Sequence, residues 1–184
     1  MKKIVIGIVI VVVLALIYTW STYNRLVTLN IAADTQWKQV ETNYQRRFDL
    51  IPNLVESVKG AMKQEQAIFG ELAAARTKYS GATTPNAKAA AAGEVETALG
   101  RLLAVVENYP VLRSTDTVQT LMSQLEGTEN RISVERMRFN QTIQAYNIKT
   151  MRFPSAVVAN IFGFNEREYF NSTPGAENAP KVSL

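Results

Sequence analysis

Two clusters of charged residues are the parts of this sequence best equipped for chemistry. Their polar members are Arg46, Arg47, Asp49, Glu126, Glu129, Asn130 and Arg131. Glu126 and Glu129 are three residues apart, so on a helix they share a face and could meet Arg46 or Arg47 on a neighbouring antiparallel helix. Two carboxylates held in one site can act as a general acid and base, so a hydrolase is one hypothesis.

The alternative for the same residues is a structural network that fixes the register of the helices. The chain contains no Cys and no His, which excludes thiolate nucleophiles, Cys or His zinc sites and the commonest general acid–base catalyst. Two Glu without His make a weak metal site, and we predict no metal and no cofactor. Ion pairs between helices are a common device for specifying their pairing, so the sequence favours the structural network.

Two neighbouring features also favour structural roles. Gly127 lies in the middle of a predicted helix, where glycine costs about 1 kcal/mol relative to alanine, so we expect a close approach of another helix there. Arg131, Glu135, Arg136 and Arg138 follow, and this charge-rich turn is most simply a solvated face with Arg131 and Glu135 paired.

The overall charge does not predict a nucleic-acid-binding protein. Twenty Lys and Arg against 16 Asp and Glu give a formal net charge of +4. Lys2 and Lys3 precede the first apolar run, and beyond Asn24 the basic residues are interspersed with acids throughout. A basic patch of the kind that binds phosphate backbones is therefore not predicted.

The run from Ile4 to Trp20 is free of charged residues and predicts a transmembrane helix. It would cover roughly 26 Å, near the short end for a bilayer core of about 30 Å. Its anchoring residues include Ile4, Val9, Val13, Leu16, Tyr18 and Trp20. A cleaved signal peptide is the alternative, with Val13-Leu14-Ala15 as part of the cleavage site, but bulky residues follow where small ones are expected.

The charges that flank this run predict its orientation. Lys2 and Lys3 precede it and Arg25 follows it, so the positive-inside tendency places the N-terminus in the cytoplasm and the rest of the chain outside. The sequence therefore predicts a single-pass protein that is located in the bacterial cytoplasmic membrane. An absence of Cys permits an extracytoplasmic location without requiring one.

Helical periodicity continues through most of the chain and predicts an all-α fold. One stripe has apolar residues spaced by three and four: Leu26, Leu29, Ala33, Trp37, Val40, Tyr44, Phe48 and Ile51. It continues past Pro52 to about Tyr79, as one kinked helix or two abutting helices. We predict an elongated antiparallel, coiled-coil-like bundle of three long helices plus a short C-terminal helix.

Turn signals separate these helices. Residues 80–86 form the clearest turn, and a second helix then runs until Pro110, because the residue before a proline is disfavoured in helical conformation. Ser114 or Asp116 is expected to cap a third helix, which Pro154 closes. The predicted domains are an anchor at 1–22, a bundle at 23–170 and a disordered polar tail at 171–184.

The segment from Ser155 to Phe170 is apolar enough to require a covering surface. Its candidate contact residues are Phe162, Phe164, Tyr169 and Phe170. Three covers remain open: this segment can dock on its own bundle as a fourth helix, pack against another subunit, or lie in the membrane interface, where aromatic residues are favoured.

Four blocks in this order resemble the LemA family. They are residues 23–27, residues 46–55 followed by Val58-Lys59-Gly60, residues 125–132, and residues 153–155 with 162–170. Together they span nearly the whole chain before the tail, so the resemblance is more specific than any one block. One departure is Phe48, where the resemblance implies a small residue such as Ala, so the packing near Pro52 is expected to differ.

The resemblance implies a single-pass membrane protein with a mostly four-helix antiparallel bundle and no catalytic residues to carry over. It also implies a link to membrane-bound metallopeptidases. The resulting functional hypothesis is a non-catalytic scaffold or adaptor of the cell envelope that associates with itself or with such a partner, without nucleic acid. A lipid-organising or membrane-shaping oligomer is the alternative, and a carboxylate-dependent hydrolase a minor one.

Overall fold

The chain is all-α over the part that the structure describes. The computed structural model describes residues 1–60, 62 and 66–170, and these ranges contain no strand. The helices are α1 (Lys2–Lys59), α2 (Gln66–Gly81), α3 (Pro85–Glu107), α4 (Pro110–Arg113), α5 (Asp116–Met151) and α6 (Ser155–Ile161). The predicted fold class, an apolar N-terminal helix followed by a helical bundle, is confirmed. The predicted tail at 171–184 lies outside the described residues.

The first long stripe of the sequence forms two helices, and the break does not fall at Pro52. Helix α1 continues through Pro52 and ends at Lys59, next to Gly60. A proline removes one backbone donor, but Ile51 and Leu54 on either side are buried and hold the helix together across it. Gly60 has a far lower helix propensity than the residues before it.

The predicted turns occur where the sequence places them. Helix α2 ends at Gly81 and α3 begins at Pro85, with the Thr84 hydroxyl accepting a hydrogen bond from the Ala87 backbone N–H. Helix α3 ends at Glu107, before Pro110. The short helix α4 then fills the connection and was not predicted. Asp116 lies in the first turn of α5, where a carboxylate interacts favourably with the helix dipole.

Contacts divide the chain into two compact units. The first comprises Met1–Lys38 and Met137–Tyr169, and so contains the start of α1, the end of α5 and α6. Within it α1 and α5 are antiparallel: the Trp37 and Phe139 rings lie 5.4 Å apart, and Leu26 joins Tyr146, Val158 and Ala159 in one buried cluster. The apolar face of α6 is therefore docked on its own unit.

The second unit comprises, among the described residues, those of 39–136 together with Phe170. It contains the rest of α1, α2, α3, α4 and the first part of α5. Its core is formed by the predicted stripe residues together with the inner faces of the other helices: Val40, Tyr44, Phe48, Ile51, Leu72, Tyr79, Val95, Leu99, Leu102, Leu121, Leu125 and Ile132 are all buried.

The expected close helix approach at Gly127 is wrong. Among the described residues, no heavy atom lies within 4 Å of a Cβ built at Gly127. The glycine is exposed, so its place in α5 is not explained by packing.

The predicted membrane-spanning run forms the first part of α1. An 18-residue window of this helix has a mean hydropathy of 2.7, and none of it is buried in the protein. The predicted anchoring residues are all exposed: Ile4, Val9, Val13, Leu16, Tyr18 and Trp20. A core helix would bury such a run, whereas this one is long and apolar enough to cross a membrane.

Candidate functional site

A group of charged residues from three helices meets inside the second unit. We call this group the central network and define it by Arg47, Glu96, Glu129, Arg136 and Tyr44. Arg47 of α1 forms an ion pair with Glu129 of α5, and its Nη1 lies 3.6 Å from Oε1 of Glu96 on α3. Three helices are therefore joined by one guanidinium whose side chain is only 9% exposed.

Arg136 completes the central network from α5. Its Nε donates a hydrogen bond of 2.9 Å to the Tyr44 hydroxyl, and one of its terminal nitrogens donates to both that hydroxyl and Glu96. The guanidinium also lies over two aromatic rings, 5.4 Å from the Tyr44 centroid and 4.7 Å from that of Phe170. Such cation–π contacts strengthen when water is excluded.

The network is not fully satisfied. Arg47 Nε is buried and has no hydrogen-bond partner among the described residues. A buried donor without an acceptor costs free energy, so the site is held together by its ion pairs at some expense in hydrogen bonding. This pattern fits residues retained to specify which helices pair and in what register.

Burial changes the protonation behaviour of the network. It raises the pKa of Glu96 above its usual range, against the opposing effect of Arg136 and with a further raising effect from Glu129. Burial also raises the pKa of Tyr44 and brings that of Tyr79 to about 12. Both phenols are therefore neutral hydrogen-bonding groups at neutral pH.

The raised pKa of Glu96 predicts a pH-dependent loss of stability. The folded chain holds the Glu96 carboxyl proton more tightly than the unfolded chain does, in which the pKa of this group is 4.5. The contribution of this proton to the unfolding free energy is therefore full below pH 4.5 and is lost as the pH rises through the higher pKa of the folded chain. Relative to Glu96→Gln, the native chain should lose at most about 1.4 kcal/mol per pH unit. Unfolding free energies of both proteins over a pH series measure the difference, and parallel pH profiles would contradict it.

The structure places the seven polar residues predicted from the sequence in different surroundings. Arg47 and Glu129 form the ion pair described above, whereas Glu126 and Asn130 are exposed. Arg46, Asp49 and Arg131 are also exposed and line a shallow groove beside Gly127. Asp49 accepts a hydrogen bond of 2.8 Å from the Gln45 side-chain amide.

Two partners were missed by reasoning from the sequence. The sequence predicts a solvated face for Arg136, but this residue is half-buried in the central network, and its partner Glu96 lies outside the predicted clusters. A signal was present: Arg136 falls four residues after buried Ile132 and three before buried Phe139, so a charge occupies a position of the apolar stripe. Glu129 interrupts the same stripe between Leu125 and Ile132.

The carboxylates do not form a free catalytic pair in this arrangement. Glu129 is engaged by Arg47, and Glu126 is exposed on the surface of α5. No group of three or more Asp and Glu that could hold a metal ion occurs within residues 1–60, 62 and 66–170. Of the two glutamates, Glu129 forms an interhelical ion pair.

A second concave surface lies on the hairpin of α2 and α3. Two ion pairs link these antiparallel helices, Lys78 with Glu94 and Arg101 with Glu71. Between the two ion pairs the surface carries mostly small side chains, and it forms a groove of about 800 Å³. The groove is lined by Ala74, Ala89, Ala90, Gly93, Ala98, Arg136 and Phe170, among others.

The C-terminal aromatic residues are divided between the units. In the first unit the Phe162 and Phe164 rings lie 4.9 and 5.7 Å from that of Tyr23 on α1, and Tyr169 is 39% exposed. In the same segment the Arg167 guanidinium donates a hydrogen bond of 2.6 Å to Asp34 Oδ1, and the Arg167 backbone N–H donates one to the Asn147 side-chain oxygen. Phe170 belongs to the second unit, under Arg136.

Comparison with known proteins identifies relatives that match most of the chain. Residues 36–184 match the LemA family. The chain is also similar to magnetosome proteins MamQ 1 and MamQ 2 of Paramagnetospirillum magneticum and to magnetosome protein MamQ of Magnetospirillum gryphiswaldense, at 30% identity over 181 residues in each case. These matches cover 84% of this chain and 66% of each relative.

The family match covers most of the chain, and the helical bundle with its apolar first helix agrees with the fold that the resemblance implied. The resemblance detected in the sequence is confirmed by the family match over residues 36–184. The chain belongs to the LemA family.

Proposed function

We propose that this chain is a non-catalytic scaffold or adaptor of the bacterial cell envelope, anchored by its first helix and acting through the surfaces of its bundle. The observation that carries the proposal is the central network. The charged side chains of this network face one another between helices and stabilise the bundle. The outer faces of the helices therefore remain as the surfaces for contact with other proteins. The bundle lies outside the cytoplasmic membrane in this proposal, with Lys2 and Lys3 on the cytoplasmic side.

Self-association through the groove between α2 and α3 is the interaction that we propose first. The alanine residues there have small side chains and Gly93 has none, so the backbone of another helix can approach closely. A shared membrane restricts the chains to two dimensions and raises their effective concentration, so a weak contact suffices. A second envelope protein, such as a membrane-bound metallopeptidase, is the other partner that the family suggests.

The mass of the full-length chain in nanodiscs or mild detergent tests self-association. We expect a discrete oligomer for the native chain and a smaller species for Ala90→Arg, because a long charged side chain would fill the groove. Ala73→Arg is the matched control, since Ala73 is an exposed residue of α2 that does not line the groove. A fragment beginning at Asn24 shows whether the first helix is needed.

The outcomes separate the two kinds of partner. A native chain that is monomeric in every preparation would contradict self-association and leave the adaptor role to be tested by crosslinking to other envelope proteins. Equal dissociation by Ala73→Arg and Ala90→Arg would show that the groove is not the interface.

A lipid-organising role is the second candidate function. It is favoured by the large apolar side chains that the first unit leaves exposed at the end of α5 and on α6. These residues would bring the bundle itself, and not the anchor alone, into contact with lipid.

A further inference from the structure

The end of α5 and the outer face of α6 form an exposed apolar surface. We call it the α6 surface and define it by Met151, Phe153, Val157, Ile161 and Phe162. Phe153 is 81% exposed and Ile161 70% exposed, although the opposite face of α6 is buried. Several large apolar side chains in one short segment are unusual on a surface that faces only water.

The position of this surface relative to the anchor indicates what covers it. The Phe162 ring lies 4.9 Å from that of Tyr23, and both belong to the first unit. Tyr23 follows Trp20 by three residues of one continuous helix, a rise of about 4.5 Å. The headgroup layer of a bilayer extends roughly 5–8 Å beyond its hydrocarbon core, so a span that ends at Trp20 places Tyr23 and Phe162 within that layer.

Cationic side chains lie at the depth where lipid phosphates are found. A groove of the first unit is lined by Tyr18, Ser21, Thr22, Asn24, Arg25, Thr28 and Lys149. Arg25 and Lys149 are both exposed, and the groove has no carboxylate among its described lining residues. Arg25 lies five residues, or about 7.5 Å, beyond Trp20, and α5 brings Lys149 to the same groove from the other side.

We propose that this end of the first unit binds the membrane surface, with the α6 surface inserted among lipid headgroups and Arg25 with Lys149 holding the phosphates of anionic phospholipids. The proposal rests on the membrane anchoring in the proposed function and extends it from the anchor to the bundle. Lipid is the occupant because the surface continues directly from the spanning helix. Aromatic and cationic side chains together are the composition that this interface favours.

Depth measurements on the full-length chain test the apolar part. The sequence contains no Cys, so Phe153→Cys gives one attachment site for a spin label. In nanodiscs of equal parts phosphatidylglycerol and phosphatidylcholine, we expect this label to be accessible to oxygen and protected from a water-soluble nickel chelate. Ile31→Cys is the matched control, because Ile31 is an exposed apolar residue of the same unit about 16 Å beyond Trp20.

A third label separates this inference from the function on which it rests. Val13→Cys reports on the span itself. A label at position 13 in the hydrocarbon with one at position 153 in water would overturn the inference alone, whereas a water-exposed label at position 13 would overturn the anchoring as well. Dipolar coupling between labels at position 153 of different copies, without exposure to oxygen, would assign the α6 surface to another subunit and also overturn the proposal.

Lipid selectivity tests the cationic part. Spin-labelled phosphatidylglycerol should be enriched over spin-labelled phosphatidylcholine around the native chain. The Arg25→Gln/Lys149→Gln variant should reduce that preference, by up to about fivefold for each cation removed. The charge-matched control is Lys59→Gln/Arg113→Gln, which removes two exposed cations elsewhere. An unchanged preference in the first variant, or an equal loss in both, would overturn the assignment of the phosphate site.

Discussion

The Arg136→Gln variant is expected to lose about 3 kcal/mol of unfolding free energy. The native guanidinium donates to the Tyr44 hydroxyl and to Glu96, and the Arg136 and Glu96 side chains are only 22% and 19% exposed. Its removal leaves the Glu96 carboxylate with Arg47 alone, at 3.6 Å, and beside Glu129. Glutamine keeps some hydrogen bonding but supplies no positive charge to offset the buried carboxylate. Denaturant titration of the full-length chain in mild detergent, followed by far-UV circular dichroism, measures the loss.

Arg131→Gln is the control for this prediction. It makes the same chemical change on the same helix, but Arg131 is exposed and lines a shallow groove. We expect it to change the unfolding free energy by less than about 0.5 kcal/mol, as exposed positions usually do. Similar losses in the two variants would show that overall charge, and not the central network, sets the stability.

The contrast between these two arginines shows what the sequence could predict. Apolar residues spaced by three and four define α1, α3 and α5, because a helix has 3.6 residues per turn and buries one stripe. The turns at 80–86 and before Pro110 followed from residue chemistry that helices do not tolerate. These are local properties, and they were sufficient for the fold class.

The partners of the charged residues depend on information that the sequence does not display. Arg47 of α1 pairs with Glu129 of α5, whereas the antiparallel arrangement had left Arg46 and Arg47 as equal candidates, and Glu96 lies on a third helix. Which residue of α3 faces Arg47 depends on how α3 is shifted along its axis, and a shift of one turn would still bury an apolar stripe. Interrupted stripe positions such as Arg136 can therefore be recognised as buried charges, but their partners cannot be assigned from spacing.

The position of the helix break had a similar cause. Proline predicts a kink or an end only where no tertiary contact holds the helix, and Ile51 and Leu54 are both almost fully buried. The packing on either side of Pro52 outweighs the loss of one backbone hydrogen bond. The sequence therefore predicted the total helical stretch well and the place of its interruption poorly.

Phe48→Ala is expected to have an effect at least as large, about 3–4 kcal/mol of unfolding free energy. Phe48 is 4% exposed and packs between Tyr44 of the same helix and Tyr79 of α2. The ring centroids of Phe48 and Tyr79 are 4.6 Å apart in an edge-to-face arrangement, and those of Phe48 and Tyr44 are 5.8 Å apart. Truncation to alanine removes both contacts and leaves a cavity that rigid helices fill incompletely.

Phe153→Ala provides the matched control, because it makes the same truncation at a ring that is 81% exposed. Its effect on unfolding free energy in detergent should stay within about 0.5 kcal/mol. The position of Phe48 gives the comparison a further meaning, since the family resemblance implies a small residue there. A loss below about 1 kcal/mol would contradict the packing argument and show that α2 is held on α1 by other contacts, such as buried Leu72 and Ala75. A loss of the expected size would mean that this chain fixes the position of α2 by an aromatic cluster, and through α2 the groove that we propose for self-association.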